Sequence, residues 1–327
     1  IAISINRYNR DINITHNEFV WLGASAVTLW GDTTGISFPE SPIYPQTEMG
    51  WDGTNGNQPR GIQMSYNYIH EIGIWEKQSS CLFQSKSCQN RVFNNICYNG
   101  PRAGFNINDG FGGASIYKKN LIFNTCRESG DHGPINTWDR QVYVTKVLNG
   151  TATYIKAYDN ITQNFLVSNY QGIWAVDDDD GSTFYNIFGN FEVYATGGLK
   201  NNFGGHNIRH YGNVFGYVQN DCMYANNAND YQLPGYIDYF NNNICVINSE
   251  SVGNWGLFAC GSDQEGWPLM GNNTIYIRNE SRVDIVGLCQ LPEKTFQAKY
   301  QRDLGTQIIY PPNDTLILQQ AKQMLWA

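Results

Sequence analysis

Charge is scarce in this 327-residue chain, where Asp, Glu, Lys and Arg together make up 15%, well below the usual quarter. The few cations never form a run, and the formal net charge is -8, so nucleic acid, whose phosphates need a cationic face, is excluded as an expected partner. No stretch of about 18 apolar residues occurs, so no membrane span is expected. A basic-then-apolar leader is also missing, and the first residue is Ile. Because Ile1 to Ile5 already reads as a strand with no polar cap before it, the chain is expected to begin within a longer solenoid. There is no Ser-centred elbow, phosphate-cradling glycine motif or dinucleotide fingerprint in a βα context, which removes those chemistries from consideration.

What the chain has instead is a repeated phrase: an apolar residue, two free positions, an Asn, one free position and another apolar residue. Its Asn falls at Asn17, Asn67, Asn95, Asn120, Asn164, Asn190, Asn213, Asn243 and Asn273. His210 alone breaks the apolar rule before the Asn, and Glu192 alone breaks it after. Most intervals lie between about 23 and 30 residues, a solenoid period. The segments are β-rich and broken by Gly and Asn, so the expected fold is all-β: a parallel β-helix with long inserted loops, over 1–290, and a C-terminal segment, 291–327, with a capping helix. Each repeat Asn is expected at a turn, in left-handed geometry, with its side chain bonded to backbone. In the helix, Leu316, Leu318, Ala321 and Leu325 would form the apolar stripe and Asn313 or Asp314 the cap, covering the last coil.

Eight Cys fit an oxidising compartment. Cys81 and Cys88 close a short loop, and Cys260 and Cys289 fall at nearly equal offsets from their repeat Asn, within bridging reach. Cys97 and Cys245 take inward positions, where a buried thiol competes with a bridge. Asn-x-Ser/Thr sites occur at Asn13, Asn149, Asn160, Asn272, Asn279 and Asn313. From Gly31 to Gly61 the period is suspended by a Pro-rich and Gly-rich stretch carrying Tyr44 and Trp51, read as a projecting loop whose aromatics form a binding wall.

Equal offsets from the repeat Asn should stack one coil apart, at about 4.8 Å. On that register Asn108 and Asp109, His132, Asp177, Asp179 and Asp180, then Lys200 and His206, gather on one flank over four coils. Arg102, Trp138, Asp139 and Arg140 lie in the same stretches. Alternation places Asp177 and Asp179 on one side of the strand and Asp178 and Asp180 on the other. Clustered carboxylates raise at least one pKa and so supply a general acid, and with Asn carbonyls they would also suit a divalent cation such as calcium. His132 and His206 lack zinc-site spacing. Arg140 and Lys200 suit an anionic sugar group.

The phrases QSKSCQNRVFNNICYNGPRAGFNINDGFGG, ESGDHGPINTWDRQ, DDDDGSTFYNIFGN and GGLKNNFGGH resemble those of right-handed parallel β-helix repeat proteins, a carbohydrate-active group that includes glycoside hydrolase family 141-like members. The resemblance covers roughly residues 50 to 325 and implies a right-handed coil, an extracellular or periplasmic setting and a polysaccharide as partner. It departs from the group's Asp-x-Asp-Asp-Gly pattern in placing Asp178 at the variable position. The function expected from residues and resemblance together is that of a secreted glycoside hydrolase, with Asp139, Asp177, Asp179 and Asp180 as the catalytic candidates, Asp179 as proton donor and Asp139 as second carboxylate. Arg102, Asn108, Asp109, His132, Trp138, Arg140, Lys200 and His206 would bind the sugar. An Asp139–Asp179 gap of about 5 Å would mean retention of configuration. The rivals are a polysaccharide lyase using Lys200 or Arg140, and a non-catalytic, self-associating glycan-binding scaffold.

Overall fold

The computed structural model describes residues 1–32, 56–108, 113–138, 143–146, 151–170, 172–179, 181–202, 205–226, 237–261, 264 and 266–326. Residues 33–55 of the expected projecting loop, Tyr44 and Trp51 among them, lie outside these.

The chain winds into three long sheets in which every strand pair is parallel, a parallel β-helix. The first sheet runs from Ile3–Asn6 to Gly256–Phe258, the second from Asn13–Thr15 to Leu269–Gly271, and the third from Glu18–Val20 to Gln307–Ile309. Most strands of the second and third sheets are three residues long, and the middle residue points inward. Those middle residues are the two apolar positions of the repeat, so Ile69, Cys97, Tyr117, Ile122, Ile161 and Leu166 are buried in one continuous core.

The corner between the second and third sheets is always two residues, and the second of them is the repeat Asn. Left-handed backbone falls on the residue before the Asn, as at His16 (φ 57), Lys119 (φ 55) and Gln163 (φ 54), and not on the Asn itself. This corrects the expected turn. What the Asn contributes is its side chain, directed along the stack. Asn164 shows the pattern. Its N–H and Nδ2 donate to Asn190 Oδ1 at 2.9 and 3.0 Å, and its Nδ2 also donates to the Tyr117 carbonyl at 3.0 Å. Its own Oδ1 accepts from the N–H and Nδ2 of Asn120. The ladder runs unbroken from Asn17 to Asn273 and ends on Thr306 Oγ1.

The corner between the third and first sheets behaves differently, spanning 99–104, 124–134, 168–175 and 194–196 in successive coils. Offsets counted from the Asn therefore do not predict register past it. Asn108 pairs with Trp138, while Asn106, Asn136, Asp177 and Lys200 form one column.

Three disulfides cross the structure: Cys81–Cys97, Cys222–Cys245 and Cys260–Cys289. Cys81 thus bridges to the inward Cys97 of the next coil, and Cys88, buried, takes no part in a disulfide. The expected loop-closing pair is corrected, because facing positions across the lumen bring thiols closer than a strand does.

The stack does not stop at residue 290, since Gln307–Ile309 adds a tenth strand to the third sheet. A short helix, α1 (Glu293–Tyr300), closes the core with Phe296 against Trp267. The second helix, α2 (Asp314–Trp326), lies along the outer face of the third sheet and not over the last coil. Ile317 and Ala321 are its buried residues, packed on Phe191, Val193, Val214, Val246 and Tyr276, while Leu316 and Leu318 are exposed. Asn313 accepts from the Leu316 N–H as its cap.

Asn164→Ala is expected to lower the unfolding free energy by about 2–4 kcal/mol, since it strands buried amide groups of Asn120 and the Tyr117 carbonyl as well as removing its own bonds. Urea denaturation with an unchanged m-value checks this, and a loss below about 0.5 kcal/mol would show that the ladder contributes little.

Candidate active site

The column Asn106–Asn136–Asp177–Lys200–Tyr224 lies on the outer face of the first sheet, because Ile107, Thr137, Asp178 and Asn201, one residue further along each strand, alternate inward. Phe83 precedes it, packed at a tilt against Trp30 with ring centroids 4.6 Å apart, and Trp174 packs at a tilt against Tyr224 at 5.4 Å beyond it.

At the centre runs a chain of charged groups. Arg102, in the corner before its strand, contacts His132 Nε2, and its Nη2 lies 3.3 Å from Asp131 Oδ2. His132 Nδ1 lies 3.0 Å from Asp177 Oδ2. Lys200 Nζ then bridges Asp177 Oδ1 and Asp179 Oδ1, 2.7 Å from each. Arg102 can only donate, so its contact makes Nε2 the acceptor and places the imidazole proton on Nδ1, where it donates to Asp177. His132 is held in its corner by close backbone contact. A Cβ on the neighbouring Gly133 would sit 1.5 Å from the Trp174 carbonyl oxygen, and the His132 carbonyl accepts from Ile173 N–H.

Accessibility divides the acids. The Asp177 side chain is fully buried, whereas that of Asp179 is 25% exposed and is the outer end of the chain. Burial pulls the Lys200 ammonium down, but Asp177 and Asp179 outweigh it and hold its pKa above the ordinary lysine value. Lys200 is therefore a cation, and a cation cannot serve as the base of an elimination. Among the described residues, His132, Asp177 and Asp179 form the group that could hold a metal ion, with ligand atoms within 4.8 Å of one another. The Lys200 ammonium already supplies a positive charge to both of its carboxylates.

The structure brings Arg102, His132, Asp177, Asp179 and Lys200 into one chain. Trp138 and Asn108 pair across neighbouring strands of the same face. His206 is engaged by Asn207 Oδ1 at 2.7 Å and edge-on by Phe184. Asp109, Asp139, Arg140, Asp180 and Asn149 lie outside the described residues, and with Asp139 goes the geometric test of retention. Of the Asn-x-Ser/Thr sites, Asn13, Asn272 and Asn313 are exposed, Asn160 is bonded to Asn186, and Asn279 and Asn313 use their side-chain oxygens as caps.

A second polar group lies behind the sheet and was not anticipated. Asp178 Oδ2 is 3.2 Å from His210 Nε2, and its Oδ1 is 3.0 Å from Thr137 Oγ1. Thr137 Oγ1 and Ser182 Oγ are 2.7 Å apart, and Ser182 Oγ is 2.7 Å from the Asp179 carbonyl. Glu192 enters the same interior from the third sheet. Burial pushes Asp178 well above the ordinary carboxyl range, against the Thr137 contact and with the aid of Asp177, and it pushes Glu192 up likewise, helped by Asp178. Burial also lowers His210 to about 3. The sequence did carry a signal for this group: Glu192 and His210 are the two breaks in the apolar rule. No family model, curated protein or solved structure matches the chain.

Two expectations follow. Glu192 keeps its proton in the fold but loses it first when unfolded, so it reduces stability as pH rises from about 4 toward its folded pKa, by up to about 1.4 kcal/mol per pH unit. Glu192→Gln should therefore stabilise the protein at pH 8, leave it nearly unchanged at pH 4 and flatten the curve between, as read by urea midpoints; a parallel offset at both pH values would refute the assignment. Calcium at millimolar concentration should leave the wild-type melting temperature unchanged but raise that of Lys200→Gln, where the two carboxylates lose their cation. An equal calcium response in both proteins would count against the lysine's role.

Proposed function

We propose that the chain is an extracellular carbohydrate-active β-helix protein that hydrolyses a polysaccharide lying along the outer face of the first sheet. Asp179 is the carboxyl that exchanges a proton with the glycosidic oxygen. The observation that carries this reading is the position of Asp179: it is the partly exposed acid that ends a chain, Arg102–His132–Asp177–Lys200–Asp179, whose middle members His132, Asp177 and Lys200 are buried. A buried charge network of this kind is costly unless paired, and here it leads to a carboxyl that a substrate can reach. Asp177 positions His132 and Lys200. The aromatic pairs Trp30–Phe83 and Trp174–Tyr224 flank the acid on both sides and offer apolar surface to a glycan. The second carboxylate that hydrolysis requires is sought at Asp139.

Three disulfides suit an oxidising, extracellular setting. The resemblance to carbohydrate-active β-helix repeat proteins supports the same reading. A lyase is the weaker alternative, because Lys200 is held as a cation. A purely structural rod is disfavoured by the continuity of the chain from His132 to Asp179.

The protein should release reducing ends from one member of a polysaccharide array. Asp179→Asn should lower that turnover by about 10²- to 10⁴-fold, the scale of general acid–base catalysis, with circular dichroism and melting unchanged. Full turnover by Asp179→Asn would sink the assignment. A product absorbing in the near ultraviolet would establish elimination instead, and binding with no bond cleaved would establish the scaffold.

A further inference from the structure

Asp179 is anchored from behind, through the wall of the solenoid. Its N–H donates to the Thr137 carbonyl at 3.0 Å, and its carbonyl oxygen receives the Ser182 N–H at 3.0 Å. Ser182 Oγ sits 2.7 Å from the same carbonyl, Thr137 Oγ1 sits 2.7 Å from Ser182 Oγ, and Asp178 Oδ1 sits 3.0 Å from Thr137 Oγ1. Asp178, Thr137 and Ser182 are fully buried.

The protons in this chain can be counted. Three oxygen–oxygen contacts each need one hydrogen, and the two hydroxyls supply two. The Asp179 carbonyl can only accept. If Asp178 were a carboxylate it too could only accept, and one contact at hydrogen-bond distance would set two lone pairs against each other. A proton on Asp178 Oδ1 completes the set: it donates to Thr137, Thr137 to Ser182, and Ser182 to the Asp179 carbonyl. The other oxygen, Oδ2, is then free to accept from His210 Nε2–H at 3.2 Å.

We propose that Asp178 is held as the neutral carboxylic acid and acts as a positioning residue, donating through Thr137 and Ser182 to fix the backbone of Asp179 while His210 braces it from the lumen. This rests on the role given to Asp179 above, and it explains both departures from the repeat. His210 replaces an apolar residue to supply a donor at the right depth. Glu192 adds a second buried acid in the same interior, which burial and the nearby Asp178 push above the ordinary carboxyl range as well. The elevated pKa of Asp178 and the depressed pKa of His210 agree with the assignment.

The test separates hydrogen bonding from packing. Thr137→Val keeps the volume and removes the hydroxyl, whereas Thr137→Ser keeps the hydroxyl and removes a methyl. Thr137→Val should loosen Asp179 from Lys200, bringing the Lys200 titration, followed by NMR of its side chain, down toward the ordinary lysine value. It should also lower turnover on the polysaccharide by about tenfold or more, as misplacement of an acting group does. Thr137→Ser should stay close to wild type in both. At pH 7 the infrared difference spectrum of Asp178→Asn against wild type should show loss of a protonated-carboxyl band and not of a carboxylate band. Loss of a carboxylate band would overturn the proposal, as would Thr137→Val with an unchanged Lys200 titration. If the wild type cleaves no polysaccharide, the hydrolase reading fails while the infrared and NMR results still decide this one.

Discussion

The amide ladder of asparagines is the constraint on which the rest of the molecule depends. An asparagine side chain has one good acceptor and two donors, and here all of them point along the stack: up to the next carboxamide and down to the preceding backbone. Such a ladder forms when successive corners are superimposable, so it fixes one corner at two residues from Asn17 to Asn273. With that edge pinned, the strands on either side are in register and their middle residues meet in the core. The opposite corner is released from the same demand. It varies freely in length, and that is where Arg102, Asp131 and His132 are found. Regularity on one edge thus permits chemistry on the other.

The wall of the first sheet separates two electrostatic environments that are one peptide bond apart. Asp177 faces outward and is compensated by Lys200 and His132. Asp178 faces inward and is driven toward its neutral form by burial, with Asp177 adding to the push and Lys200 opposing it. Alternation along a strand is enough to place two adjacent acids in opposite surroundings, one among charged partners and one in the lumen.

Much of the fold was legible in the sequence, and the reason is the ladder. A repeat whose register is set by short-range bonding shows itself as a fixed phrase, so the period, the parallel stacking, the inward positions and the opposite facing of Asp177 and Asp178 could be read directly. The Cys260–Cys289 bridge was legible for the same reason. Register on the first sheet was not, since the variable corner resets the count: Asn106 and Asn136 share a column with Asp177 although their offsets from the ladder differ. The pairing of Cys81 with Cys97 spans the lumen, which a linear reading does not see. The helix α2 has apolar residues around much of its surface, so its pattern picked out Ala321 but did not reveal that Ile317, not Leu316 and Leu318, joins it in facing the protein. Of the site, the acids and Lys200 stood out by composition. Thr137, Ser182 and Arg102's contact with His132 depend on corners whose shape no spacing encodes.

The course of α2 has a mechanical consequence. Its first turn is tied to Tyr217 by Asp314, and near its end the Met324 carbonyl holds Gln163. Between those points it crosses the rungs that carry Phe191, Val193 and Val214. A solenoid stretched along its axis peels from its ends, one rung at a time, because each rung is held by its neighbours. Along the rungs that α2 crosses that course is altered: the helix clasps them together, and they would give way as a block once it is stripped off. The charged chain from His132 to Lys200 sits where the clasped part begins.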